Sequence, residues 1–371
     1  MQITRREFQL YIAAAAAAAL PLPAALAHEG PRRQLRVLVL GGTQFVGIHV
    51  VNAALRRGHR VTLFNRGRTN PELFPQVEKL RGDRDGDLGA LRGRGWDCAI
   101  DDSGLVPRQV ESSTALLSGN VAQYLFVSST DAYADYAQPN SEESALQPVP
   151  VDVIGRADGG GYGVSKVIGE AYVRAAFPTG ALILRPCQIV GPMDPAARVA
   201  FWIATAWRGG RLPAPGRQED PIQYIDARDL ANFALDMLEA GNTGTYNVAS
   251  EPRRFSIGGL VSACVDSITQ TQPTLPVEPV WMTRRFLESH RAAGLFPLWP
   301  GQRTELGLPL TDTRRALSAG LRVSPLELTV GDTMKWLLSQ PGQQQAALRV
   351  GPSADLQRRL LADWDSSGGD A

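Results

Sequence analysis

The run Leu35–Leu40, LRVLVL, followed at once by Gly41-Gly42-Thr43-Gln44-Phe45-Val46-Gly47, constrains this 371-residue chain more than any other feature. A short run of leucine and valine suits a strand buried on both faces. A helical pattern continues from the glycines through Ala54, and a second apolar run, Val61–Phe64, comes after it. Strand, glycine turn, helix and strand make a βαβ unit. The same rhythm predicts a third strand before Arg81-Gly82-Asp83. Further strands are predicted at Cys98–Asp101, Tyr124–Ser128 and Ala181–Leu184, with helical stretches between them. That alternation predicts an α/β fold with a doubly wound parallel sheet over residues 34–190.

The glycine turn carries its own chemistry. Gly41 permits a tight turn and close backbone approach, Gly47 allows helix and strand to pack closely, and the helix N–H groups face an anion. Thr43, Gln44, Phe45 and Val46 complete a G-x-x-G-x-x-G cradle in which Gln44 stands at the middle glycine position. The expected ligand is the pyrophosphate of a dinucleotide. After the second strand comes Asn65-Arg66-Gly67-Arg68, where an NAD site usually carries an acidic residue for the ribose hydroxyl. Arginine suits a 2′-phosphate, so NADP is expected, with NAD as the alternative. The competing reading makes Arg66 and Arg68 solvated loop charges. Asp83 is placed either to accept from an adenine amino group or to cap the next helix.

A second signal lies downstream. Ser128-Ser129-Thr130 ends the predicted fifth strand, and the carboxyl edge of such a sheet faces the ligand crevice. Tyr162-Gly163-Val164-Ser165-Lys166 then opens a helix, and residues four apart share one helix face. Lys79, Lys166 and Lys335 are the lysines, against eight tyrosines. Random placement would put a Tyr four residues before a Lys only ~0.06 times, counting four apart as one face. A tyrosine near pKa ~10 must fall by about 3 units to act as a base at neutrality. A neighbouring ammonium and a positive nicotinamide ring supply that stabilisation. Ser129, Tyr162 and Lys166 are therefore the expected catalytic set, with Ser129 holding the substrate oxygen while Tyr162 moves the proton.

The glycine turn, the Ser128-Ser129 strand end, Tyr162-x-x-x-Lys166, and Leu184-Arg185-Pro186 through Gly191-Pro192 together resemble the NAD-dependent epimerase/dehydratase family. That family is the extended branch of the short-chain dehydrogenases/reductases. The likeness covers about residues 35 to 340, and members with a non-glycine middle residue in the turn are labelled isoflavone reductase-like. It implies a Rossmann domain with a smaller C-terminal α/β substrate region (191–345) and a tail (346–371). It also implies that Pro186 lies near the nicotinamide, that Lys166 also touches the cofactor, and that a homodimer forms through nucleotide-domain helices. Sugar dehydratases of the family carry an acidic pair in the stretch holding Asp131, but Thr130 replaces its first member. The implied chemistry is a sugar epimerase or oxidoreductase reaction. The alternatives are an NADPH-dependent reductase of a small carbonyl or enone, and a dinucleotide-binding scaffold without catalysis.

The remaining segments are read more coarsely. Ala134–Gly161, with Pro148, Pro150 and Gly159–Gly161, reads as a loop able to close over substrate. Ile222–Ile225 and Tyr246–Val248 read as strands and Asp229–Leu238 as a helix, with Asp226 and Asp229 in capping or structural roles. Trp202, Trp207, Trp281 and Trp299 read as core residues before sugar-stacking ones. One short helix is expected after Gly351, and disorder from Asp365.

At the other end, Arg5-Arg6 before Phe8 and an alanine-rich apolar run ending at Pro21, Pro23 and Ala25-Leu26-Ala27 resemble a cleavable twin-arginine signal over residues 1–27. The expected location is periplasmic or exported, with cytoplasmic residence if that segment is an ordinary extension. Cys98, Cys187 and Cys264 suggest no disulfide framework. The scattered histidines suggest no metal site. A net charge of +1 without a basic stripe points to a small-molecule substrate and away from nucleic acid.

Overall fold

The structure is a computed structural model that describes residues 33–368, apart from 151–152, 154–159, 273, 341, 343–346 and 348. The twin-arginine segment, its cleavage site and part of the expected substrate-covering loop lie outside the described residues.

Leucine- and valine-rich runs form the strands where the periodicity places them. They are β1 (Arg36–Leu40), β2 (Arg60–Asn65), β3 (Glu78–Arg81), β4 (Trp96–Asp101), β5 (Val121–Val127) and β6 (Ala181–Pro186). Helices α1 (Phe45–Arg56), α2 (Pro107–Leu117) and α3 (Tyr162–Ala176) cross between them. Beyond β6 the regular alternation ends, and the elements are β7 (Gln188–Val190), α4 (Arg198–Ala206), β8 (Gly210–Pro215), β9 (Pro221–Ile222), β10 (Tyr224–Asp226) and α5 (Ala227–Glu239). They continue as β11 (Gly244–Val248), β12 (Phe255–Ser256), α6 (Ile257–Thr271), β13 (Val277–Met282), α7 (Arg284–Ser289), α8 (Arg314–Ser318), α9 (Leu326–Ser339) and α10 (Ala354–Ser366).

The central sheet has seven strands in the order β11-β6-β5-β4-β1-β2-β3, and every neighbouring pair is parallel. The chain order reverses between β1 and β4, which opens a crevice at the carboxyl ends of those strands. Helices α1 and α5 cover one face through Val50, Ala54, Phe233 and Leu235, and α2 and α3 cover the other through Val110, Ile168 and Tyr172.

Three sequence expectations need amendment. Tyr246–Val248 does not serve the substrate region: β11 pairs with β6 as the outermost strand of the central sheet, because its Tyr246 and Val248 join that sheet's core. The single strand expected at Ile222–Ile225 is two strands. β9 pairs antiparallel with β12 and β10 parallel with β7, and the break falls at Gln223, whose buried side chain bonds to Thr311 and Ser250. Disorder from Asp365 is also corrected. Asp365 belongs to α10 and is held by both guanidinium nitrogens of Arg211, at 2.6 and 2.8 Å, while Leu360 and Trp364 enter the C-terminal core. Residues 369–371 lie outside the described ones.

That C-terminal core surrounds Trp202, which is fully buried and donates to the Pro297 carbonyl. Asp226 caps α5 and binds Arg228 and Thr329, and Asp229 accepts from the backbone and hydroxyl of Ser324. Asp226 thus fastens α5 to α9 itself, and Asp229 fastens it to the segment before α9.

Candidate functional site

The crevice opens into a cavity of about 940 Å³, near the upper end of the roughly 300–1,000 Å³ usual for small-molecule sites. It is lined at one end by the glycine turn and at the other by Ser129, Tyr162, Lys166 and Pro186.

At the cradle end, Gly41 and Gly42 have φ of 122° and 84°, values that L side chains rarely adopt. Gln44 is the N-cap of α1 and makes no side-chain cap bond, so the first turn presents backbone N–H groups to the cavity. A Cβ on Gly47 would stand 2.7 Å from Gly42 Cα, which accounts for glycine there. Thr43 is buried and its carbonyl accepts from Asn70. Phe45, with φ of 34°, and Val46 complete the wall. This cradle, with its donors and its lack of side-chain bulk, fits a dinucleotide pyrophosphate.

The adenosine-side residues divide. Asn65 is committed to the turn itself: its amide donates to the Gly41 carbonyl at 2.8 Å and accepts from Gly67 N–H at 2.9 Å. Arg66 and Arg68 are exposed at the rim. Asp83 lines the cavity and accepts from Asp85 N–H, closing a tight loop instead of capping a helix.

At the other end, Ser129 caps the 3-10 turn Thr130–Ala132 that follows β5, accepting from Asp131 N–H at 3.1 Å. Gly161, with φ of 113°, starts α3, and Ser165 donates to its carbonyl. This start sets Tyr162 at the cavity mouth with half its surface exposed. The Ser129 hydroxyl lines the same cavity wall as Tyr162 and acts on its hydroxyl to favour ionisation. Lys166 is buried one turn along, its Nζ 5.4 Å from the Tyr162 ring centroid and donating to Gly104 and Val127 carbonyls at 3.0 and 2.9 Å. The expected trio is thus brought together.

The electrostatics add detail. Burial, with a smaller part from the Asp131 carboxylate, raises Tyr162 above the ordinary tyrosine value. Burial lowers Lys166 to about 8. Asp131, within hydrogen-bonding reach of the Ser129 hydroxyl, is raised by burial. Behind this layer Glu170 is buried and held well down, to about 2, by Arg185 against its own desolvation. Arg185 donates to both Glu170 oxygens at 2.8 and 2.7 Å, and Ser128 Oγ donates at 2.6 Å, so one carboxylate ties α3, β5 and β6 together.

Several lining residues were not singled out from sequence: Asp102, Ser103, Gln188, Arg198, Gln223 and Glu305. The acidic pair Asp101-Asp102 at the end of β4 was the readable signal. The others arrive from loops whose path no periodicity encodes.

The fold is that of a Rossmann protein: a parallel seven-stranded sheet with a cavity at the carboxyl ends of its strands. A profile of the NAD dependent epimerase/dehydratase family matches residues 108–249, so this part of the chain is similar to that family. WbmG of Bordetella bronchiseptica, solved with NAD and UDP, superposes with a TM-score of 0.61 at 17% identity, covering 84% of this chain and 96% of that one. WbmH of the same organism, solved with NAD+, gives 0.59 at 16%, covering 82% and 99%. The chloroplast stem-loop binding protein of 41 kDa b from Arabidopsis thaliana is 27% identical over 249 residues, 62% of this chain and 62% of that protein. The chain therefore spans less than two thirds of the length of that relative.

Proposed function

We propose that this protein is an NAD(P)-dependent enzyme that interconverts or oxidises an alcohol of a sugar or sugar-like substrate through Ser129, Tyr162 and Lys166. The observation that carries the reading is the convergence of the Ser129–Tyr162 hydroxyl pair and the buried Lys166 in one cavity with the glycine cradle. Solved neighbours with NAD and UDP support a nicotinamide dinucleotide and a nucleotide-linked sugar as the ligand classes. Gly41, Thr43, Gln44, Phe45, Val46 and Gly47 hold the pyrophosphate, Asn65 fixes the turn, and Asp83 and Pro186 flank the two ends. Arg66 at the rim favours the 2′-phosphate of NADP. The bound dinucleotide supplies a hydride acceptor and donor.

The chain's own groups handle the proton. Ser129 Oγ and Tyr162 Oη hold the substrate oxygen, and Tyr162 takes its proton as the carbonyl forms. Burial raises Tyr162, and the cation of Lys166 alongside works against that rise to favour the phenolate the step needs. Lys166, fixed by two carbonyls, keeps its charge directed at that ring.

The sequence signal for export adds a constraint. Free NADP(H) is scarce outside the cytoplasm, so an exported enzyme must retain its cofactor and restore it in each cycle. That favours epimerisation or a paired oxidation–reduction over net reduction. Folded export through the twin-arginine route allows loading first. A nucleic-acid partner, suggested by the name of the plant relative, finds no electrostatic footing in a net charge of +1.

The test is interconversion of nucleotide sugars by purified protein with no cofactor added. Turnover that Tyr162→Phe abolishes supports the proposal. Turnover that survives that substitution, or reduction that demands stoichiometric NADPH, overturns the respective part.

A further inference from the structure

The groups left unused by this mechanism include a half-buried carboxyl, with one buried oxygen, that sits inside the cradle. Asp102 follows β4 and lines the cavity. Its carboxyl is wedged under the glycine turn: a Cβ on Gly41 would overlap Oδ1, and one on Gly47 would overlap Oδ2. The two outer glycines of the turn therefore make room for this carboxyl as well as for a ligand. The backbone of Gly42 acts on the carboxyl to favour its ionised form, against the larger effect of burial. Oδ1 is buried and has no hydrogen-bond partner.

Its neighbour behaves differently. Asp101 is gripped by Arg84 at 2.7 and 2.6 Å and receives the Tyr124 hydroxyl at 2.8 Å. Arg84 spends its charge on Asp101, leaving Asp102 as a second carboxyl beside an anion. A buried acceptor without a partner is costly as an anion and much less so as a neutral acid. A pyrophosphate arriving on the turn adds further like charge.

We propose that Asp102 is part of the dinucleotide cradle and works in its protonated form, giving its O–H as a hydrogen bond to the bound dinucleotide. The inference rests on the dinucleotide-binding reading above and names a residue and a proton for that site. Binding to the ionised protein then takes one proton from the buffer for each dinucleotide bound. Burial first, then Asp101, raises the Asp102 carboxyl to about 7, so the exchange falls in an accessible range. The charged groups facing it are Asp101 on its own strand end, Arg84 from the segment after β3, and Lys166 from α3. Gly41 through Ile48, the turn and first part of α1, contribute no titratable side chain.

The experiment is calorimetric titration of the full folded protein with NADPH at about pH 7 and about pH 8.5, above the roughly pH 6 step of a phosphate monoester. Two buffers of different ionisation enthalpy are used at each pH. The wild-type protein is expected to take up close to one proton at the higher pH, with affinity weakening by about tenfold between the two. In Asp102→Asn both effects should be much reduced, and the remaining slope reports Lys166. Binding with no proton uptake and a flat pH profile overturns the role of Asp102 and leaves the dinucleotide reading standing. Equal slopes in wild type and Asp102→Asn overturn it too. If that variant does not fold, the same titration of Lys166→Arg, which removes the lysine's own titration, decides: persisting uptake supports Asp102 and its loss overturns it. Absence of binding at any pH removes both the inference and the reading beneath it.

Discussion

The two halves of the molecule bury comparable cores by different means. Up to Pro186 the sheet is built of strands of four to seven residues in one parallel stack. Beyond it, apart from β11, the strands are paired two by two, and the core is assembled from α4, α6, α9 and α10 around Trp202. A parallel stack must be apolar on both faces, and it places its strand ends in a row. Both consequences are visible in sequence. Paired short strands impose no such pattern, and their side chains are fixed by loops. The cavity accordingly draws its glycine turn, Ser129, Tyr162 and Lys166 from the repetitive half, and Trp299, Glu305 and Leu308 from the half without repetition.

The comparison breaks most sharply at the catalytic end. Tyr162→Phe should lower turnover by about 10²- to 10⁴-fold while dinucleotide binding and melting temperature stay near wild type. Loss of binding along with turnover would mean that the tyrosine is a structural part of the cavity wall.

Stability offers a second probe of the two halves. Glu170→Ala leaves Arg185 buried without its carboxylate and should cost about 3–5 kcal/mol. Trp202→Ala in the other core should cost about the same. Chemical denaturation followed by fluorescence and by bound dinucleotide reads both. Should Trp202→Ala unfold the C-terminal part while dinucleotide stays bound, the halves are separate cooperative units. A single shared transition joins them.

The cradle gives a pH signature without ligand. Asp102 is raised to about 7, so the native state holds this proton more tightly than the unfolded chain does. The resulting stability is complete below about pH 4 and is lost as pH rises to about 7. Melting temperatures across that window should decline for wild type relative to Asp102→Asn, and parallel curves would contradict the carboxyl's placement.

The smallest expected effect is on cofactor choice. Arg66→Ala should weaken NADP relative to NAD by about tenfold, measured as the ratio of the two Kd values. An unchanged ratio would return Arg66 to the role of a solvated loop charge.

The seven-residue glycine turn, the order of the first six strands and the Tyr162–Lys166 pairing were legible because each depends on local spacing. The seventh strand was legible as a strand but its place in the sheet was not, since nothing in GTYNV says that its partner is β6, some sixty residues earlier. Gln223 hid the break between β9 and β10 in the same way, because the bonds that hold it come from Thr311 and Ser250. Asp102 was overlooked for a third reason. Its role depends on lying beneath glycines sixty residues away, a relation that only the folded sheet creates.

The central claim is that the cradle and the Ser129, Tyr162 and Lys166 group serve one bound dinucleotide. It is tested most directly by denaturing the purified protein and identifying the released small molecules by mass spectrometry. The account predicts close to one NADP(H) per chain. A protein that releases no dinucleotide, and that also takes up neither NADP nor NAD when offered in excess, would contradict it.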